Sequence, residues 1–128
     1  MESIELSAVF PTSSTNLYLS WISSSKHSAM TGGAAEIEAR EGGKFSAWDG
    51  YITGETVVLE PETRIVQKWR TSEFADYDED SDLEVLLEDV DEGSKITLRH
   101  SNIPAGQGEK YRVGWEDHYF TPMREHFV

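Results

Sequence analysis

The sequence predicts an α+β fold: one antiparallel sheet of about six or seven strands, two short helices after the first strand, and a long C-terminal helix covering the sheet. Three observations lead there. Turn signals such as Asp49-Gly50 and Glu60-Pro61-Glu62-Thr63 separate β-rich runs by hairpin-length gaps, so consecutive strands are antiparallel neighbours. Helical patterns are confined to the stretch before Gly33 and to "GWEDHYFTPMREHF", residues 114–127. A sheet of this kind can leave one face in water but must cover the other, and the C-terminal stretch is the only long element left to do it.

Each element has a local reason. "IELSAVF" sets Ile4, Leu6, Ala8 and Phe10 on one face at period two, a half-buried strand. In "PTSSTNLYLSWI", Thr12 or Ser13 caps a helix on which Leu17 and Trp21 lie one turn apart. A second short helix is capped by Ser23 or Ser24 and stopped by Gly32-Gly33. The strands then follow in turn. "AAEIEA" ends at Glu41-Gly42-Gly43, "KFSAW" at Asp49-Gly50, and "YITGETVVLE" at Pro61. "RIVQKWRTSEF" is rich in β-branched and aromatic residues, "DLEVLLEDV" meets the tight loop "DEG", and Pro104 ends "KITLRHSN". Nothing divides the chain, so residues 1–128 are read as a single domain.

Composition narrows the function. The 128 residues carry a net charge of -13, which disfavours nucleic acid and anionic membrane surfaces as partners, since both need a basic face. With no cysteine, thiol catalysis, thiolate metal sites and disulfides are excluded. No apolar run is long enough to span a membrane, and the first ten residues lack a secretory pattern, so the expected location is cytoplasmic.

The C-terminal stretch holds the richest chemistry. On a helical wheel Tyr111, Trp115, His118, Tyr119, Pro122 and His126 share one arc, and Phe120, Met123 and Phe127 extend it. A helix apolar over most of its perimeter is enclosed or lines a pocket. Pro122 lacks an N–H and its ring opposes the carbonyl of His118, which predicts a bend there. His118 and His126 lie two turns apart without the i, i+4 spacing of a zinc helix, so no metal site is expected. His27 and His100 read as structural or cavity-lining histidines, because no nucleophile elbow accompanies them. "DYDEDSD" fails as a calcium loop: counted from Asp76, its sixth and twelfth positions are Ser81 and Leu87. An acidic, mobile hairpin loop is the expectation. "EGGKF" lacks the phosphate-loop spacing and reads as a tight turn.

The segments "REGGKFSAWDGYITGETVVLEPETRIVQKWR", "SNIPAG" and "GWEDHYFTPMREHF" together resemble the C-terminal domain of the activator of the heat-shock-protein ATPase homologue family. The resemblance runs from Ile4 to Phe127. It implies a START-like helix-grip fold of the SRPBCC superfamily, in which a curved antiparallel sheet wraps a long C-terminal helix. In the eukaryotic co-chaperone a separate N-terminal domain supplies the main stimulating contact. Stand-alone members of the superfamily hold a hydrophobic molecule between helix and sheet, and others catalyse cyclisation or hydrolysis there.

The leading expectation is therefore a non-catalytic binding module for a small hydrophobic or amphipathic ligand, with no cofactor. Trp69, His100, Trp115, Tyr119 and Met123 are the expected lining residues, with Phe45 and Trp48 as second choices. The aromatics supply apolar burial, while His100 and the Tyr119 hydroxyl orient a polar group of the ligand. The second expectation is an interaction protein whose acidic surface meets a heat-shock ATPase. The third is a cavity enzyme of cyclase or hydrolase type, which needs a buried polar pair, such as His100 with a carboxylate, at a pocket floor.

Overall fold

The computed structural model describes residues 1–128. The chain begins with β1 (Glu2–Phe10), α1 (Ser14–Ile22) and α2 (Ser24–Thr31). Six strands follow: β2 (Glu36–Ile37), β3 (Lys44–Ala47), β4 (Ile52–Glu60), β5 (Arg64–Thr71), β6 (Ser81–Val90) and β7 (Gly93–Ile103). The C-terminal helix has three parts: α3 (Gly108–Trp115), a π-helical turn (Glu116–Phe120) and α4 (Thr121–His126). The seven strands form one antiparallel sheet in the order β1-β7-β6-β5-β4-β3-β2, so the first and last strands are neighbours. This is the helix-grip arrangement that the sequence predicts.

Most local expectations hold for the stated reasons. Ser13 caps α1 by accepting from the Asn16 amide at 3.0 Å, and Ser23 caps α2 by accepting from the Lys26 amide at 3.3 Å. Gly32 closes α2 in the left-handed region at φ +86°. On β1, Ile4 and Phe10 are buried and Leu6 and Ala8 half-buried.

Two strand boundaries differ from expectation. The run "AAEIEA" yields only a two-residue edge strand. The Ser24 hydroxyl accepts from the Ile37 amide at 2.8 Å, so α2 rather than a strand partner holds Ile37 on its outer side. The run "KFSAW" stops at Ala47. Ala47 pairs with Ile52, leaving a four-residue turn in which Trp48 (φ +51°), Asp49 (φ +58°) and Gly50 (φ +89°) are all left-handed. A left-handed backbone costs a non-glycine residue roughly 1–2 kcal/mol. The turn is held in place by Asp49, whose amide donates to the Ala34 carbonyl at 3.0 Å and whose carboxylate accepts from the Ala34 amide at 3.2 Å.

The acidic hairpin loop is pinned rather than free. Arg70 donates to the Asp78 carbonyl at 3.0 Å, to the Asp80 carboxylate at 2.8 Å and to the Ala75 carbonyl at 3.0 Å.

The C-terminal helix departs most from the wheel. Where the sequence predicts a bend at Pro122, the chain makes a π turn just before it, with the Thr121 amide donating to the Glu116 carbonyl five residues back. Pro122 then falls in the first turn of α4, where its missing N–H costs little. The wider turn shifts the phase of the inward face. Tyr111, Trp115 and Tyr119 point inward as far as the fourth residue of the turn; Phe120, Met123 and Phe127 do so from its last residue onward. His118 and His126 are exposed. Met123, with no exposure, and Phe127 fill the core, and Phe10 lies against both Phe120 (6.1 Å) and Phe127 (6.0 Å).

Candidate functional site

Three tryptophans, two tyrosines and one isoleucine meet where the C-terminal helix crosses the β3–β4 end of the sheet. From the sheet come Trp48 in the left-handed turn, Ile52 at the start of β4 and Trp69 on β5. From the helix come Tyr111, Trp115 and Tyr119, each one turn after the last. Between them lies a cleft of about 370 Å³. Its mouth is edged by Tyr51, Lys110, Val113 and His118, all exposed, and Gly114 forms part of the helical wall. The walls interlock: Trp115 lies 5.5 Å from Trp69 and 4.8 Å from Tyr119, and Trp69 meets Tyr111 edge-on at 5.0 Å.

The polar atoms of Trp115 and Tyr119 are bonded to histidines behind these walls. The Trp115 indole N–H donates to His100 Nδ1 at 3.1 Å, which leaves the His100 proton on Nε2. That proton is donated to the Ser81 hydroxyl at 2.8 Å, and Ser81 donates onward to the Trp69 carbonyl at 2.6 Å. His27 is arranged in the opposite sense: its Nδ1 donates to the Trp21 carbonyl at 2.8 Å and its Nε2 accepts from the Tyr119 hydroxyl at 2.7 Å. Burial holds both imidazoles neutral, pushing His27 down to about 4 and His100 down to about 3. Burial also raises the phenols of Tyr51, Tyr111 and Tyr119, which keeps them protonated. At the mouth, Glu73 accepts from both Tyr51 and Lys110.

Four of the seven residues named from the sequence line this cleft: Trp48, Trp69, Trp115 and Tyr119. His100 stands one layer behind, edge-on to Trp69 at 4.5 Å, with its ring nitrogens occupied. Its partners are Ser81 and Trp115 rather than a carboxylate; the nearby Asp82 is bonded to Lys68 and Asn102. Phe45 is buried in β3 against Gly54, and Met123 is in the core of α4. Neither is among the lining residues.

Sequence reasoning did not select Tyr51, Ile52, Lys110, Tyr111, Val113, Gly114 or His118. The helical members were within reach: Tyr111 and His118 stand four before and three after Trp115. Tyr51 and Ile52 enter through the unexpected shape of the 48–51 turn.

The description "Activator of Hsp90 ATPase homolog 1-like protein" belongs to the family model that matches residues 11–127. The human protein named activator of 90 kDa heat shock protein ATPase homolog 1 is 33% identical over 126 residues, covering 97% of this chain and 36% of the human protein. The chain thus spans about a third of the length of the curated relatives it matches. A solved structure described as an HSP90 activator from Plasmodium falciparum superposes with a TM-score of 0.88 at 26% identity, covering 98% of this chain and 96% of that one. A protein from Mesorhizobium loti, 14% identical with a TM-score of 0.80 over 97% of this chain and 95% of that one, shares the fold.

Proposed function

The chain belongs to the family of activator of Hsp90 ATPase homolog 1-like proteins, and from that premise we propose that it is a non-catalytic binding module whose cleft holds a small, flat, apolar or amphipathic molecule. The observation that carries this reading is the cleft of about 370 Å³ walled by Trp48, Trp69, Trp115, Tyr111 and Tyr119. Its size and aromatic lining are those of small-molecule sites. A guest burying on the order of 200 Å² of apolar surface would gain ~5 kcal/mol at ~25 cal/mol/Å² before the entropy of association is subtracted. That favours weak to moderate affinity for a fairly rigid molecule.

Gly114 provides the test. A Cβ built there meets nothing within 4 Å, so Gly114→Leu adds bulk at the helical wall of the cleft without displacing the fold. Leucine also favours the helix over glycine by about 1 kcal/mol. Wild-type protein should gain thermal stability with at least one compound of a lipid, sterol and flavonoid panel. Gly114→Leu should be as stable as wild type and lose that gain. No shift across the panel, or undiminished binding by Gly114→Leu, would end this reading.

The likeness to the human activator favours a second reading, in which the module contacts a 90 kDa heat shock protein ATPase through its acidic surface. Co-purification with that ATPase and stimulation of its turnover would support it. An ATPase rate unchanged at saturating protein would remove it.

A further inference from the structure

Trp48 has an indole nitrogen that nothing in the molecule satisfies. Its Nε1 is the one buried side-chain nitrogen or oxygen without a hydrogen-bond partner. A buried donor left unpaired is costly and calls for a reason. Among the other polar atoms of the inner walls, Trp115 Nε1 is taken by His100, the Tyr119 hydroxyl by His27 and the Tyr111 hydroxyl by Gln107 at 2.5 Å, while the indole N–H of Trp69 makes no hydrogen bond but is not enclosed as that of Trp48 is.

The residue is also held with unusual firmness. Its backbone is left-handed at φ +51°, in a turn tied to Ala34 through Asp49. Strain of this kind gathers where a side chain must be aimed. The Cδ2, Cε3 and Cζ3 atoms of the indole press against Gly33, where any Cβ would come within 2.5–3.0 Å of them. Those atoms belong to the benzo side, opposite Nε1. On the cleft side the ring of His118 stands edge-on to the indole at 5.4 Å, and His118 is itself exposed.

We propose that the Trp48 indole N–H is the donor that orients the guest of this cleft, that His118 is the side chain that swings aside on entry, and that the guest is a neutral, flat aromatic molecule with a carbonyl oxygen on its rim. Tryptophan only donates, so the guest must accept. An anionic guest is disfavoured because Lys110 is already paired with Glu73 and the chain carries a charge of -13, and a neutral guest is the simplest one that a single N–H donor in an apolar wall satisfies. This inference rests on the reading of the cleft as a small-molecule site.

Fluorene and 9-fluorenone are tricycles of nearly one shape that differ by a carbonyl, and they separate the two ideas. Titrated into wild-type protein by tryptophan quenching, fluorenone should bind about five- to tenfold more tightly, the worth of one hydrogen bond. In Trp48→Phe, which keeps an aromatic ring but loses the donor, the ratio should fall to about one. In a proton–nitrogen correlation spectrum of the wild type, the Trp48 indole signal should move downfield with fluorenone and much less with fluorene. That signal is assigned through the protons of its own indole ring, whose benzo edge contacts Gly33, so this measurement decides the matter even if Trp48→Phe fails to fold. His118→Ala should speed fluorenone association; an unchanged rate would overturn the role of His118. Equal affinities with no selective indole shift would overturn the donor while leaving the cleft reading intact. Failure of both tricycles and of the wider panel would overturn both.

Discussion

His27 and His100 bracket one aromatic stack, each in hydrogen-bond contact with a cleft wall: His27 through Tyr119 and His100 through Trp115. Both are neutral in the folded protein, held at about 4 and about 3 by burial, whereas the unfolded chain protonates near 6.5. Between those limits the unfolded state binds more protons, so stability rises with pH. The contribution is complete above pH 6.5 and is lost as pH falls toward 4 and then 3, at about 1.4 kcal/mol per pH unit for each histidine. Urea midpoints measured from pH 7 to pH 5 should therefore drop steeply in wild type. His27→Gln and His100→Gln should each be less stable at pH 7 and show a shallower slope. Slopes matching wild type would contradict the neutral, buried assignment.

At the scale of the element, the C-terminal helix begins and turns for reasons lying outside it. The carboxylate of Glu2, at the other end of the chain, accepts from the Gly106 amide at 2.8 Å and from the Gly108 amide at 2.6 Å. It thereby does the work of an N-cap for α3, whose own cap residue Gln107 makes no side-chain capping bond. These two bonds hold the Glu2 carboxyl below the ordinary carboxylate range. A Cβ at Gly108 would come within 2.5 Å of Glu2 Oε1, so a larger residue there would have to push this cap aside. Glu2→Ala should lower the melting temperature and speed amide exchange over residues 106–110, with β5 and β6 unaffected. Unchanged exchange in that turn would show that the cap is idle. The aromatic wheel made the helix legible, and Pro122 marked where its geometry changes. That the change takes the form of a π turn depends on packing both Phe120 and Phe127 against Phe10, a residue of β1 that the wheel does not contain.

Over the whole molecule, acidic side chains outnumber basic ones. Basic side chains along the strands are largely occupied: Arg99 with Glu5 at 3.1 Å, Arg64 with Glu84 at 2.7 Å, Arg70 with Asp80 at 2.8 Å, and Lys68 with Asp82. The excess of 24 acidic over 11 basic residues is left to act at long range. Association through a basic patch on a partner, as the second reading requires, should therefore slow as ionic strength rises from 0.05 to 0.5 M, since the Debye length shrinks from roughly 14 to 4 Å. Stopped-flow association rates check this; rates indifferent to salt would mean that the acidic surface does not steer the encounter.

What the sequence by itself determined is whatever depends on neighbours in the chain: strand alternation, serine caps, glycine stops, short antiparallel turns, and the need of the sheet for a covering helix. Those local rules gave seven strands and three helical regions in the right order. Trp48, Trp69, Trp115 and Tyr119 were also legible, because bulky aromatics on a covered sheet and its covering helix must meet. Tertiary structure alone decided which of them face a cleft and which polar groups remain unpaired. His100 and Met123 looked like lining residues until Ser81, Trp115 and the inward phase of α4 enclosed them. The bond between His27 and Tyr119 joins residues 92 positions apart, and that between Glu2 and Gly108 spans 106. The left-handed Trp48 exists because Gly33 and Ala34 receive its turn. Packing and hydrogen-bond satisfaction are settled among residues distant in the chain, so they appear only when the sheet closes on its helix.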